Sequence, residues 1–141
     1  MSGRFPYGIK LKYTHMMGDD IPIWERFILR NPKYFNTVDY DFRVGSGMAL
    51  QPGWDTNFKR MAKMITQKRI DVLGWRGDNP TIVEVKKRAG LSTLGQVLGY
   101  RTLFIRDFPH LGKPDLLVVT ESADSDILLV FIPYRIPIVV V

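Results

Sequence analysis

The apolar residues of this chain recur with two periods. Ile21, Trp24, Phe27 and Ile28 follow each other at helical spacing, after two possible caps, Asp19 and Asp20, and a first-turn Pro22. Asn31-Pro32 ends that helix. Residues 38–44 alternate instead, with Val38, Tyr40, Phe42 and Val44 set to one side and Asp39, Asp41 and Arg43 to the other. This predicts a half-buried strand, closed by Gly45-Ser46-Gly47. A loop runs to Trp54, and Phe58, Met61, Ala62 and Ile65 then suit a short basic helix or turn over 56–66. A strand from about Arg69 to Trp75, the turn Gly77-Asp78-Asn79-Pro80 and a strand over 81–86 form a predicted hairpin. Ser92 or Thr93 can cap a second long helix with Leu94, Val97, Leu98, Arg101, Phe104, Ile105 and Phe108 on one face. Its Gly95 and Gly99, four apart, predict a close approach to a sheet. Two strands are expected at about 115–120 and 127–133, separated by a polar turn from Glu121 to Asp126. Ile136 to Val141 is apolar throughout, so it is expected to pair in the sheet or against a partner. Trp24 is expected in the core, Trp54 and Trp75 either buried or, for Trp75 near Arg76, stacked on a base, and His15 and His110 on the surface.

The order is helix, three strands, helix, strands, an α-β-β-β-α-β arrangement. It implies an α/β fold in which a mixed sheet is flanked by helices. Residues 1–18, broken by Gly3, Pro6, Gly8 and Gly18, are expected to form an extended arm. Residues 19–135 form one domain, and 136–141 a terminal strand or partner contact. A length of 141 residues fits that count. With 45% apolar and 24% charged residues, the chain has enough core-forming material to exclude a disordered protein. No uninterrupted apolar run approaches the roughly 18 residues of a membrane span. No apolar block with a small-residue cleavage site opens the chain, so no signal peptide and a cytoplasmic setting are expected.

Composition narrows the chemistry further. The absence of cysteine excludes disulfide frameworks, thiolate metal sites and cysteine nucleophiles. Two histidines are too few for a multi-histidine metal site within one chain. The net charge of +6 points to a polyanionic partner. The bases concentrate in the middle third, from Lys59 to Arg101.

That third also holds the chemically suggestive residues. Asp71 lies in the first strand of the predicted hairpin and Glu84-Val85-Lys86 in the second. Residues two apart on a strand share a face, so Glu84 and Lys86 project together, away from Val83 and Val85, and Asp71 can lie beside them. Two carboxylates suit Mg²⁺, which is held by one or two carboxylates plus phosphate and water. The Val85 carbonyl, between the two site residues, is a further candidate ligand. A nearby lysine can orient water or stabilise developing negative charge. Gln96 and Tyr100 follow, four apart on the next helix. Lys87, Arg88 and Arg69 are candidates for phosphate contacts.

Asp71, Glu84-x-Lys86 after twelve intervening residues, and Gln96-x-x-x-Tyr100 together resemble the PD-(D/E)XK nuclease superfamily, in its RecB-like and Holliday-junction-resolvase-like branches. The similarity spans about residues 19–120, and Ile70 stands where the motif has proline. The resemblance implies a restriction-endonuclease-like fold, dependence on Mg²⁺ or Mn²⁺, and cleavage of DNA. It implies that Asp71 and Glu84 bind the metal, that Lys86 positions water, and that Gln96 and Tyr100 border the site. It also makes Glu25, on the first helix, a candidate metal ligand. Read from its own helix, Glu25 is instead an exposed residue paired with Arg26 or Arg30. Asp39 and Asp41 are expected on the polar face of their strand or as partners of Arg43.

Two other readings compete. The same fold could serve as a structural or assembly protein, for example in a virus particle, with its arm and apolar end making homo-oligomer or larger contacts. It could also be a catalytically silent DNA-binding module.

Overall fold

The computed structural model describes every residue except Met1, Ser2, Leu11, Thr14, His15 and Met17, so the reading of His15 lies outside the described residues. Six strands form one sheet in chain order: β1 (Phe5–Pro6), β2 (Thr37–Val44), β3 (Lys68–Arg76), β4 (Asn79–Arg88), β5 (Asp115–Ser122) and β6 (Ile138–Val140). Neighbours are antiparallel from β1 to β4 and parallel from β4 to β6. The helices are α1 (Ile21–Arg30), α2 (Thr56–Thr66), α3 (Leu91–Asp107) and α4 (Ser125–Phe131). α3 and α4 make the crossovers that parallel strands require.

The core has two layers. Trp24 and Phe27 of α1 pack with Val38, Tyr40, Val83 and Val85 on one face. Val97 and Phe104 of α3 pack with Ile70, Leu73, Ile82 and Val118 on the other. Two indoles taken into these layers are paired: Trp24 Nε1 donates to Tyr40 Oη at 3.0 Å, and Trp75 Nε1 to Asp39 Oδ2 at 3.0 Å. Asp39 therefore does not pair with Arg43. Its Oδ1 accepts from both the amide and Nε of Arg4, each at 3.0 Å, tying the residues before β1 to β2. Arg43 pairs with Asp41 at 3.2 Å.

Four expectations are corrected. Val38 and Tyr40 face α1, but Phe42 and Val44 join the α3 layer. Asp41, at φ 53°, lies between them and turns the pleat over, so the alternation does not keep one face. Residues 127–133 are not a strand: Asp124 accepts from the Ile127 amide at 3.0 Å and starts α4, which buries Ile127 and Phe131, one turn apart. A fully apolar run of this length suits either structure, and the cap decides it. Neither Ser92 nor Thr93 is the N-cap of α3. Gly90 holds that position, and its amide donates back to Thr93 Oγ1 at 3.0 Å. Finally, Gly95 and Gly99 do not approach the sheet; both are exposed, with no atom within 4 Å of an added Cβ. The close approach belongs to Gly74 of β3, where an added Cβ would stand 2.5 Å from the Phe35 ring.

At the chain's end, Ile136 is buried in the α3 layer and Val118 N donates to Pro137 O at 3.0 Å. β6 pairs with β5 from Ile138. His110 is exposed. No helix among the described residues is long and apolar enough to cross a membrane.

Candidate active site

The sheet opens at one point. β3 and β4 pair from Arg76↔Asn79 to Val72↔Val83, and the next pair in that register would be Asp71 with Glu84. Pairing stops there. β3 continues alongside β2 to Lys68, while β4 continues alongside β5 to Arg88. The two carboxylates thus stand opposite each other where the strands part. The pleat of β3 also turns over here, since Ile70 packs on the α3 side and Val72 on the α1 side.

Asp71 Oδ2 accepts a hydrogen bond from Val85 N at 3.0 Å. Glu84 is only 4% exposed, and its Oε2 has no hydrogen-bond partner. A carboxylate oxygen kept from both water and donors is costly, and a bound cation would relieve it. Val83 and Val85 are buried in the α1 layer, so alternation sets Glu84 and half-buried Lys86 on the opposite side of β4.

The charges of these groups act on one another. Burial raises Asp71 to about 6, and the Val85 amide and Lys86 oppose the rise. Burial, followed by repulsion from Asp71, raises Glu84 to about 8, again opposed by Lys86. The proximity of the two carboxyl groups favours the proton on Glu84 over Asp71. Near neutrality the pair therefore shares one proton, as closely spaced carboxylates do. Tyr100, on α3, is raised to about 12 by burial and then by the charges of Glu84 and Asp71.

Asp20 also belongs to this electrostatic group. It occupies the N-cap position of α1, but its side chain makes no capping hydrogen bond. Its charge raises both Asp71 and Glu84, and Lys86 acts on it in turn. The sequence offers no separate signal for this, because an aspartate before a helix is already explained as a cap. Glu25 lies elsewhere. Its Oε2 accepts from Tyr13 Oη at 3.3 Å, and it is not among the groups shifting Asp71 or Glu84. Among the described residues it forms no ion pair with Arg26 or Arg30, and Arg26 pairs with Glu121 at 2.8 Å instead.

Gln96 and Tyr100 line a groove of about 520 Å³ with Lys68, Gly95, Gly99 and Leu103. Gln96 Oε1 is buried without a partner. Lys87 and Arg88 are exposed at the end of β4. Arg69 is 3.6 Å from Asp41, an ion pair within the sheet that competes with any phosphate contact. Among the described residues, no three acidic or histidine side chains gather into a ready metal cage. Two carboxyl groups nevertheless suit Mg²⁺ or Mn²⁺, whose remaining positions go to water and substrate oxygen.

No protein-family model and no curated protein matches the chain. Among solved structures, the EndoMS–dsDNA2 complex is similar over 95% of this chain and 48% of that one, with a TM-score of 0.50 and 16% identity. The chain has a restriction-endonuclease-like fold. A repair endonuclease from Pyrococcus abyssi is similar over 92% of this chain and 49% of that one, with a TM-score of 0.49 and 13% identity. The chain spans about half the length of these two structures. On the restriction-endonuclease-like sheet, the Asp71–Glu84 pair sits where the central strands separate.

Proposed function

We propose that the protein is a metal-dependent DNA nuclease with a PD-(D/E)XK site. The observation that supports this most directly is the opposed pair of half-buried Asp71 and buried Glu84, with Lys86 two residues along the same strand, at the opening of the sheet. Asp71, Glu84 and the Val85 carbonyl would hold Mg²⁺ or Mn²⁺. Such a cation polarises a phosphoryl oxygen and makes a bound water acidic enough to attack at neutral pH.

The chain's own groups do the rest. The Val85 amide holds the Asp71 carboxyl in place before substrate arrives. Lys86 supplies positive charge beside the two acids, where it orients the attacking water and stabilises charge as the phosphorus becomes five-coordinate. Tyr100 keeps its proton throughout the physiological range and can donate to a phosphate oxygen. Gln96 adds an amide at the groove wall. Lys87 and Arg88 meet the nucleic-acid backbone, a contact that is independent of sequence and weakens with salt.

The test incubates the purified chain with branched, linear and single-stranded DNA, each with Mg²⁺, Mn²⁺ or EDTA. Cleavage is expected with metal, absent with EDTA, and lost in Asp71→Asn. DNA binding by Asp71→Asn should persist and fall steeply with salt. A wild-type chain that binds no divalent cation and cuts none of these substrates overturns the reading.

A further inference from the structure

At the opposite end of the central strands is a second site, sharing no lining residue with the first. A cavity of about 320 Å³ opens where β4 and β5 begin to pair, at Thr81↔Asp115. Thr81 is three residues, roughly 10 Å, from Glu84 along β4. Four cations from four different segments line the cavity: Arg76 at the end of β3, Arg101 of α3, Lys113 before β5, and Arg135 before β6. One acid, Asp115, stands among them. Among the described residues, none of the four cations is in an ion pair with a carboxylate.

This convergence is built rather than incidental to a basic surface. Arg76 Nε donates to Tyr34 O at 2.7 Å, and its guanidinium lies 4.2 Å from the centroid of the Tyr34 ring. The side chain is thereby held in one orientation. Arg135 has φ 55° and ψ 39°, a left-handed conformation uncommon for a residue with a side chain. It ends the turn that follows α4, beside Tyr134, whose half-exposed ring also lines the cavity. Four positive charges brought together around a single acid repel one another, and an anion that bridges them reduces that cost. Planar guanidinium groups match the oxygens of a phosphate in particular.

We infer that this cavity binds the phosphate of a nucleotide, with the sugar or base against Tyr134. Its volume is near the lower end for small-ligand sites and is suited to a single nucleotide unit. The nucleotide can come from two sources, a free mononucleotide or the end of a nucleic-acid strand. The site is separate from Asp71 and Glu84 and does not depend on catalysis there.

Calorimetry in EDTA tests it with three probes: pyrophosphate, a deoxynucleoside 5′-monophosphate, and a short single-stranded DNA carrying a 5′-phosphate. Wild type is expected to bind the monophosphate or the DNA. The double variant Lys113→Glu/Arg135→Glu, in exposed positions, should weaken that binding at least tenfold, and Arg101→Ala should weaken it in the same direction. Asp71→Asn should bind as wild type does, which separates this site from the catalytic reading. Binding of the free monophosphate identifies the first source, and binding of the DNA alone the second. Circular dichroism of each variant establishes that it is folded. Binding of pyrophosphate alone, no binding of any probe, or binding unchanged in the folded variants overturns the inference.

Discussion

Val85 N donates to Asp71 Oδ2 at 3.0 Å across the opening between β3 and β4, so the strand that carries Glu84 also fixes the carboxyl opposite it. One backbone amide thus links the geometry of the two acids. Asp71→Asn keeps an oxygen that can accept this bond but removes the charge. Cleavage should fall by roughly 100-fold or more, since the lost charge stabilises both the cation and the reacting phosphate. The pKa of Glu84 should move down towards its ordinary value, because repulsion from Asp71 is the largest cause of its rise after burial. Carbon-detected NMR titration of the Glu84 carboxyl, with cleavage rates beside it, checks both effects.

The metal-free protein should lose stability as pH rises from about 4 to 8. Folding lifts Asp71 to about 6 and Glu84 to about 8, above their unfolded values. In this window the folded state holds more protons than the unfolded state, so raising the pH favours unfolding. Above pH 8 this contribution is constant. Thermal unfolding followed over pH 4–9 should show the decline, and Glu84→Gln should flatten it. Mg²⁺ should release protons on binding near pH 7, measurable as a dependence of calorimetric heat on the buffer.

Asp20→Asn separates a helix cap from a member of the acidic group. Loss of a working cap costs about 1 kcal/mol, but the Asp20 side chain makes no capping bond, so the melting temperature should barely change. Removing its charge should weaken Mg²⁺ binding several-fold and lower the pKa values of both Asp71 and Glu84. Glu25→Gln should do neither. Calorimetric metal affinity measured for the two variants decides the comparison.

Glycine substitutions should have opposite effects at different sites. Gly95→Ala and Gly99→Ala meet no atom and lie within α3, so each should stabilise the protein by about 1 kcal/mol through helix propensity. Gly74→Ala drives a methyl into Phe35, which is buried, and should destabilise by about 1–3 kcal/mol. Urea unfolding of the three variants measures all of these changes.

The sequence by itself determined what is local. The spacing of Trp24 and Phe27, the turn at 77–80 and the alternation of Val83, Glu84, Val85 and Lys86 each depend on the helical or strand period and on nearby turn residues. α1, the β3–β4 hairpin and the shared face of Glu84 and Lys86 were therefore legible without coordinates. Where β3 and β4 part depends on pairing with β2 and β5, whose partners lie far along the chain; only the tertiary structure put Asp71 opposite Glu84 at that opening. It also decided that the charge of Asp20, just before α1, acts on the acids while that of Glu25 does not, because the placement of α1 against the sheet sets how near each lies to them. Residues 127–133 became a helix because the Asp124 cap tips a run whose apolar residues suit either period. Phe42 and Val44 changed face because a single left-handed residue, Asp41, inverts the pleat, and an alternating pattern carries no trace of such a turn.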